Sequence, residues 1–232
     1  MFFSKLRQTF SPSQRFNRDA IWNLGSLAVM AAAGISLNFL VALGWTTKDA
    51  LGVFNQVYAI YVVLSQLAVG GVHASVLKQV SYQQDDMRAA SLSATSGLML
   101  GAMLAGGVCL LGLPVSFGIG VLLESPDVAV GLRDVLPGLF FFSLNKILLN
   151  VLNGARHMRS FAVFSALRFV FILGGVGGVY LLQWHYRHLA VAFSVAEILL
   201  FISLAIYVRL CVLNSVSRRI GDRGFEVISI SA

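Results

Sequence analysis

Six separate apolar runs, each about 20 residues long, constrain the fold of this chain more than any other feature. A helix rises about 1.5 Å per residue, so a run of this length covers the roughly 30 Å hydrocarbon core of a bilayer. The sequence therefore predicts an all-α, polytopic membrane protein with six transmembrane helices. The predicted spans are 20–43, 53–72, 92–113, 135–152, 161–182 and 189–212.

The composition agrees with this class of protein and argues against others. Of the 232 residues, 57% are hydrophobic and only 12% are charged, which is far from the balance of a soluble domain. The formal net charge is +7, but the basic residues stand at the ends of the apolar runs and form no stripe with surface aromatic residues. We therefore expect membrane lipids, and no nucleic acid, as partners.

Lysine and arginine are distributed unevenly between alternate connections, and this predicts the orientation in the membrane. The N-terminal segment, the connections 73–91 and 153–160, and the region from Arg209 onward hold twelve of them. Because cytoplasmic loops retain positive charge during insertion, both termini are predicted to be cytoplasmic. The other three connections hold one each: Lys48, Arg133 and Arg187.

The domain organisation follows from the spans. Residues 1–19 are predicted as a basic cytoplasmic or interfacial segment, 20–213 as a six-helix transmembrane lobe and 214–232 as a cytoplasmic tail. The apolar stretch 114–123 is too short to cross the membrane, so it is either a helix extension or an interfacial segment.

Three ionisable residues lie deep within the predicted spans: Lys146, Arg168 and Glu197. Each costs about 2.5–3.5 kcal/mol at a helix centre unless it faces protein or water. With the predicted topology they lie about 16, 19 and 12 Å below the outer boundary of the hydrocarbon core, so all three are near the middle of the membrane. Such residues are candidates for a binding site.

The antiparallel arrangement of the last two spans allows Arg168 and Glu197 to form an ion pair, which is either a structural bridge or part of a cavity. Lys146 then remains as an unpaired cation: either a water-filled cavity that receives an anionic ligand explains it, or the edge of the span lies nearer and the side chain reaches the membrane interface. Asn150 and Asn153 follow Lys146 on the same helical face, and Asn38 in the first span extends this polar lining. Amides at such depth also form hydrogen bonds between helices.

Signatures of an enzyme or a metal site are weak in this sequence. The spans contain no pair of carboxylates at catalytic spacing, and His185 and His188 lack a third ligand nearby. We therefore predict no catalytic residues, no metal and no cofactor. Two glycine pairs, Gly97 with Gly101 and Gly174 with Gly178, are predicted to let helices approach closely.

Several segments of the chain together resemble the Wzx-type polysaccharide and O-antigen flippases of the multidrug/oligosaccharidyl-lipid/polysaccharide exporter superfamily. The resemblance covers nearly all of residues 20–213 and includes Glu197. The segments that carry it are LGVFNQ (51–56), LAVGGVHASVLK (67–78), LPGLFFFSLNK (136–146) and LNGARHM (152–158).

This resemblance implies a transporter of the bacterial inner membrane that flips a polyprenyl-diphosphate-linked oligosaccharide for surface polysaccharide biosynthesis. Lys146 and Arg168 would then meet the diphosphate or acidic sugars, while Glu197 would hold Arg168 or exchange a proton. Family members usually have two lobes, and this chain resembles the first. The second lobe would come from a homodimer or a separate chain, unless the sequence is a truncated, inactive product. The alternative function is that of a non-transporting membrane subunit in a polysaccharide assembly complex.

Overall fold

The computed structural model describes residues 12–45, 48–84 and 86–208. The predicted basic segment as far as residue 11, the end of the predicted sixth span beyond residue 208 and the predicted tail 214–232 lie outside these described residues.

Seven α-helices and one short 3-10 helix make up the described part of the chain, which contains no strand. Six segments are long and apolar enough to cross a membrane, so the fold is the predicted all-α bundle and the chain is a multi-pass membrane protein. The helices are α1 Pro12–Gly44, α2 Lys48–Val69, α3 Val72–Tyr82, α4 Met87–Leu122, α5 Pro126–Gly154, α6 Met158–Leu181 and α7 Val191–Tyr207, and the 3-10 helix is Tyr186–His188.

Helix α5 is the centre of the bundle. It packs against α2, α3, α4, α6 and α7, whereas α1 packs mainly against α6. In its most apolar window 61% of the residues are buried, compared with 17–22% in the corresponding windows of α1, α4 and α6. Most of the apolar surface of α1, α4 and α6 is therefore not covered by the described part of the chain, and the protein core lies around α5.

The connection predicted at 73–91 contains an additional helix. Helix α2 ends at Val69 and is followed by Gly70 and Gly71, whose φ angles of 51° and 76° are those that glycine adopts most readily. Helix α3 follows at once and buries Val72, Val76 and Val80, an i, i+4, i+8 stripe that packs with Ile147 of α5. Because α3 has only 11 residues and a polar outer face, it does not resemble a membrane span.

Helix α4 is longer than the predicted third span at both ends. It begins after Asp86, whose side chain accepts hydrogen bonds from the backbone N–H groups of Arg88 and Ala89 and so caps the helix. It continues through Pro114 to Leu122, so the stretch 114–123 belongs almost entirely to the helix. With 36 residues, α4 is about 54 Å long, well beyond the thickness of the hydrocarbon core.

The two predicted glycine pairs have different outcomes. A methyl group at Gly97 would collide with Val76, and one at Gly101 would collide with Ile147, so this pair does allow close packing. The prediction for Gly174 and Gly178 is wrong for the described residues, because both face open space. Their neighbour Gly175 makes the close contact instead, against Ala192 of α7.

Candidate functional site

Two of the predicted intramembrane charges meet between α6 and α7. Arg168 Nε lies 2.5 Å from Glu197 Oε1, so the ion pair considered from the sequence is present. The Glu197 side chain is completely buried, while 21% of the Arg168 side chain is exposed. Burial of the carboxylate requires a counter-charge and further hydrogen bonds, since an unpaired ion in this environment is costly.

Two residues that the sequence analysis did not assign to the site supply these hydrogen bonds. Asn145 Nδ2 donates to the backbone oxygen of Glu197 at 2.8 Å and to its Oε2 at 2.9 Å. Arg168 Nη2 donates to the Tyr61 hydroxyl at 3.2 Å, and that hydroxyl lies 3.5 Å from Glu197 Oε1. We call Tyr61, Asn145, Arg168 and Glu197 the buried polar cluster, and it joins α2, α5, α6 and α7.

Lys146 lies beside this cluster and is held differently. Its Nζ donates to Gln66 Oε1 of α2 at 3.1 Å and lies 5.7 Å from the centre of the Phe142 ring. The guanidinium carbon of Arg168 lies 4.2 Å from the same ring. Phe142 is thus shared by the two cations, and both interactions are favourable cation–π contacts.

The predicted asparagine lining remains close to its own helices. Asn150 Nδ2 donates to the backbone oxygen of Lys146 at 2.8 Å, one turn back on α5. Asn38 is exposed on α1 and donates to the backbone oxygen of Gly34 at 3.0 Å. Asn153 is half-buried near the end of α5. The structure therefore brings Lys146, Arg168 and Glu197 together and leaves Asn38 on a separate, exposed surface.

The charge balance of this region is positive. Glu197 compensates Arg168, whereas within residues 12–45, 48–84 and 86–208 the half-buried Lys146 has no carboxylate within ion-pair distance. Burial lowers the pKa of the imidazole of His73, just beyond the second span, and the nearby Lys146 ammonium lowers it further. The site thus offers one uncompensated cation to an anionic ligand.

No arrangement in the described chain resembles a metal centre, since no three His, Cys, Asp or Glu side chains are close enough to share an ion. The two histidines considered from the sequence have other contacts. His188 Nδ1 lies 2.7 Å from Asp134 Oδ2, and His185 accepts a hydrogen bond from the backbone N–H of Arg187.

Comparison with known proteins places the fold. No protein-family model matches the chain, and no curated protein sequence matches it. Two solved structures are similar to the chain. One is a MATE protein in complex with MaD5, with a TM-score of 0.72 and 16% sequence identity. The other is a MATE protein in complex with Br-NRF, with a TM-score of 0.69 and 17% sequence identity. Each match covers 86% of this chain but only 46% and 47% of the other, so the chain spans about half the length of these structures. The six-helix bundle has the fold of one lobe of a MATE transporter.

Proposed function

We propose that this chain is one lobe of a transporter that flips a polyprenyl-diphosphate-linked oligosaccharide across a bacterial inner membrane, for surface or exopolysaccharide biosynthesis. The likeness to a MATE lobe supports membrane transport as the general activity. The motifs that resemble Wzx-type flippases support the class of substrate.

The observation that carries the proposal is the position of Lys146. Its ammonium lies within the membrane span of α5, is half-buried and has only the neutral Gln66 amide as a hydrogen-bond partner among the described side chains. A cation at such depth is costly unless it meets water or an anion. A diphosphate supplies two negative groups with several acceptor oxygens, which suits a lysine ammonium.

The other members of the predicted cavity then have distinct roles. Arg168, whose side chain is partly exposed, offers hydrogen-bond donors to the ligand, while Glu197 compensates its charge and holds the guanidinium in place. Asn150 extends the polar face by one helical turn toward the cytoplasm. In this proposal a second lobe, from another copy of the chain or a separate polypeptide, closes the binding site from the opposite side.

Reconstitution into proteoliposomes tests the proposal directly. The protein, alone or with a co-expressed partner lobe, should move a labelled polyprenyl-diphosphate oligosaccharide to the opposite leaflet. Loss of a charge-assisted hydrogen bond costs about 1.5–3 kcal/mol, so Lys146→Ala should slow translocation by about tenfold to a hundredfold. Lys146→Arg keeps the charge and should retain a larger fraction of the rate.

Lys78 provides a matched control, because it is an exposed lysine on α3 and lies outside the membrane spans. Lys78→Ala should leave the rate unchanged. Unchanged translocation in Lys146→Ala would refute the assignment of Lys146. If the charged residues only support a non-transporting subunit, substitutions in the buried polar cluster will reduce the yield of folded protein, and no preparation will show translocation.

A further inference from the structure

A concave site lies at the opposite end of the bundle from the cytoplasmic loops, where α1 and α6 both end. It has a volume of about 520 Å³, within the range of small-molecule sites. Under the predicted topology this end faces the outside of the cell membrane. We call it the outer aromatic cleft, and its lining includes Trp45, Tyr180, Gln183, Trp184, His185 and Tyr186.

Specific contacts hold the aromatic walls of the cleft in place. Trp45 and Tyr180 meet edge to face with their ring centres 5.6 Å apart. Gly44 permits this approach, because a methyl group there would lie only 3.0 Å from the Tyr180 ring. On the other side, the Tyr186 hydroxyl donates to Asp127 Oδ2 at 2.8 Å. The cleft is therefore shaped before any ligand arrives.

The backbone at the end of α6 is also arranged to form this cleft. Gln183 has a φ of 53°, a left-handed conformation that is unfavourable for a non-glycine residue. This conformation lets the backbone N–H of Trp184 donate a hydrogen bond to the backbone oxygen of Val179, and α6 ends there. Glycine would fit this backbone more easily, whereas glutamine adds an exposed amide to the cleft.

The chemistry of the lining points to a carbohydrate. A pyranose ring has an apolar face of C–H groups, which packs on aromatic rings, and a rim of hydroxyl groups, which bond to amides and imidazoles. Trp184 and Tyr180 leave 48% and 46% of their surface exposed, and Gln183 and His185 add exposed polar groups beside them. An ordinary band of interfacial aromatics would point toward the lipid, whereas these rings and polar groups converge on one cavity.

From this arrangement we infer that the outer aromatic cleft binds sugar units of the oligosaccharide head group on the outer side of the membrane. The inference rests on the proposed function for the identity of the cargo, but its site is separate from Lys146. It gives the lobe two contacts with one substrate: a cationic one for the diphosphate within the bundle and an aromatic one for sugars at the outer mouth.

Binding of lipid-free sugars tests this inference without any transport step. The full chain is placed in phospholipid nanodiscs with Trp22 replaced by phenylalanine, so that fluorescence reports on Trp45 and Trp184, which both line the cleft. A panel of soluble oligosaccharides of about three to five hexose or N-acetylhexosamine units is then titrated. At least one member should change the fluorescence in a saturable way.

Variants made in the otherwise unsubstituted chain, in the same kind of nanodisc, identify the site through competition by the responding sugar against its labelled form. Trp184→Ala and Tyr180→Ala should weaken binding at least tenfold. Trp22→Ala is the matched control, because Trp22 lies on α1 near Arg159, far along the helix from the cleft, and should bind normally. Lys146→Ala should also bind normally, so a failure of the flippase proposal does not affect this result.

Quenching of tryptophan fluorescence by brominated phospholipids tests the alternative, in which the aromatic rings face the acyl chains. If these lipids quench Trp45 and Trp184 strongly while no sugar in the panel changes the fluorescence, the rings face acyl chains and the inference is wrong. Equal sugar binding by the Trp184→Ala and unsubstituted proteins would also overturn it. Saturable binding that both cleft substitutions weaken, together with little quenching by bromine, would establish the site.

Discussion

Replacing Glu197 by glutamine removes the negative charge that compensates Arg168 inside the bundle. The Glu197 side chain is completely buried, so water cannot replace the lost interaction on that side. Leaving one member of a buried ion pair alone costs about 3–5 kcal/mol, and the partial exposure of Arg168 favours the lower end, about 3 kcal/mol. For a chain of this size, this corresponds to a melting temperature about 6–12 °C lower.

The reasoning is tested by removing the second charge as well. Replacing a whole buried ion pair by uncharged groups of similar volume is often nearly neutral, so Glu197→Gln combined with Arg168→Met should recover most of the lost stability. Thermal unfolding followed by circular dichroism in one detergent compares the three proteins. If the double variant melts no higher than Glu197→Gln alone, the two charges are not energetically coupled and the explanation fails.

Two further predictions concern packing and protonation. Gly138→Ala should destabilise the protein by about 1–3 kcal/mol, since the new methyl group would lie 2.7 Å from the backbone of α7. Gly25→Ala, in open space, should not destabilise it, and equal melting of these variants would contradict the packing. The depressed pKa of His73 means that the unfolded chain binds the proton more readily, so stability should fall as pH decreases below about 6.5. Lys146→Gln should raise this pKa, as measured by NMR titration, and no change would show that Lys146 does not act on His73.

The membrane fold could be predicted from the sequence because its cause is local. A run of apolar residues indicates a span wherever it occurs, and six helices of this kind are present. Helix α3 was not predicted, because its stability depends on packing against Ile147, which lies far away in the sequence. The sequence does not decide whether α4 continues past residue 113, because apolar character alone does not distinguish a continued helix from an interfacial segment.

The candidate site could be predicted only in part. Arg168 and Glu197 are charged residues within apolar spans, so an ion pair between them could be predicted from their similar depth in the membrane. Tyr61 and Asn145 carry no formal charge, and their roles depend on which face of each helix meets α7. Asn145 and Lys146 show this clearly: they are adjacent on α5, yet one side chain bonds to α7 and the other to α2.

The central position of α5 matters for how the protein is made. The spans of α1, α2 and α4 precede it along the chain and leave the ribosome earlier, so these helices and α3 are made before the helix against which most of them pack exists. During that interval Gln66 and the Tyr61 hydroxyl have no α5, α6 or α7 to bond with. We expect membrane quality control to recognise nascent chains at this stage, and the emergence of Gly154 to mark the length at which they first gain resistance to proteolysis.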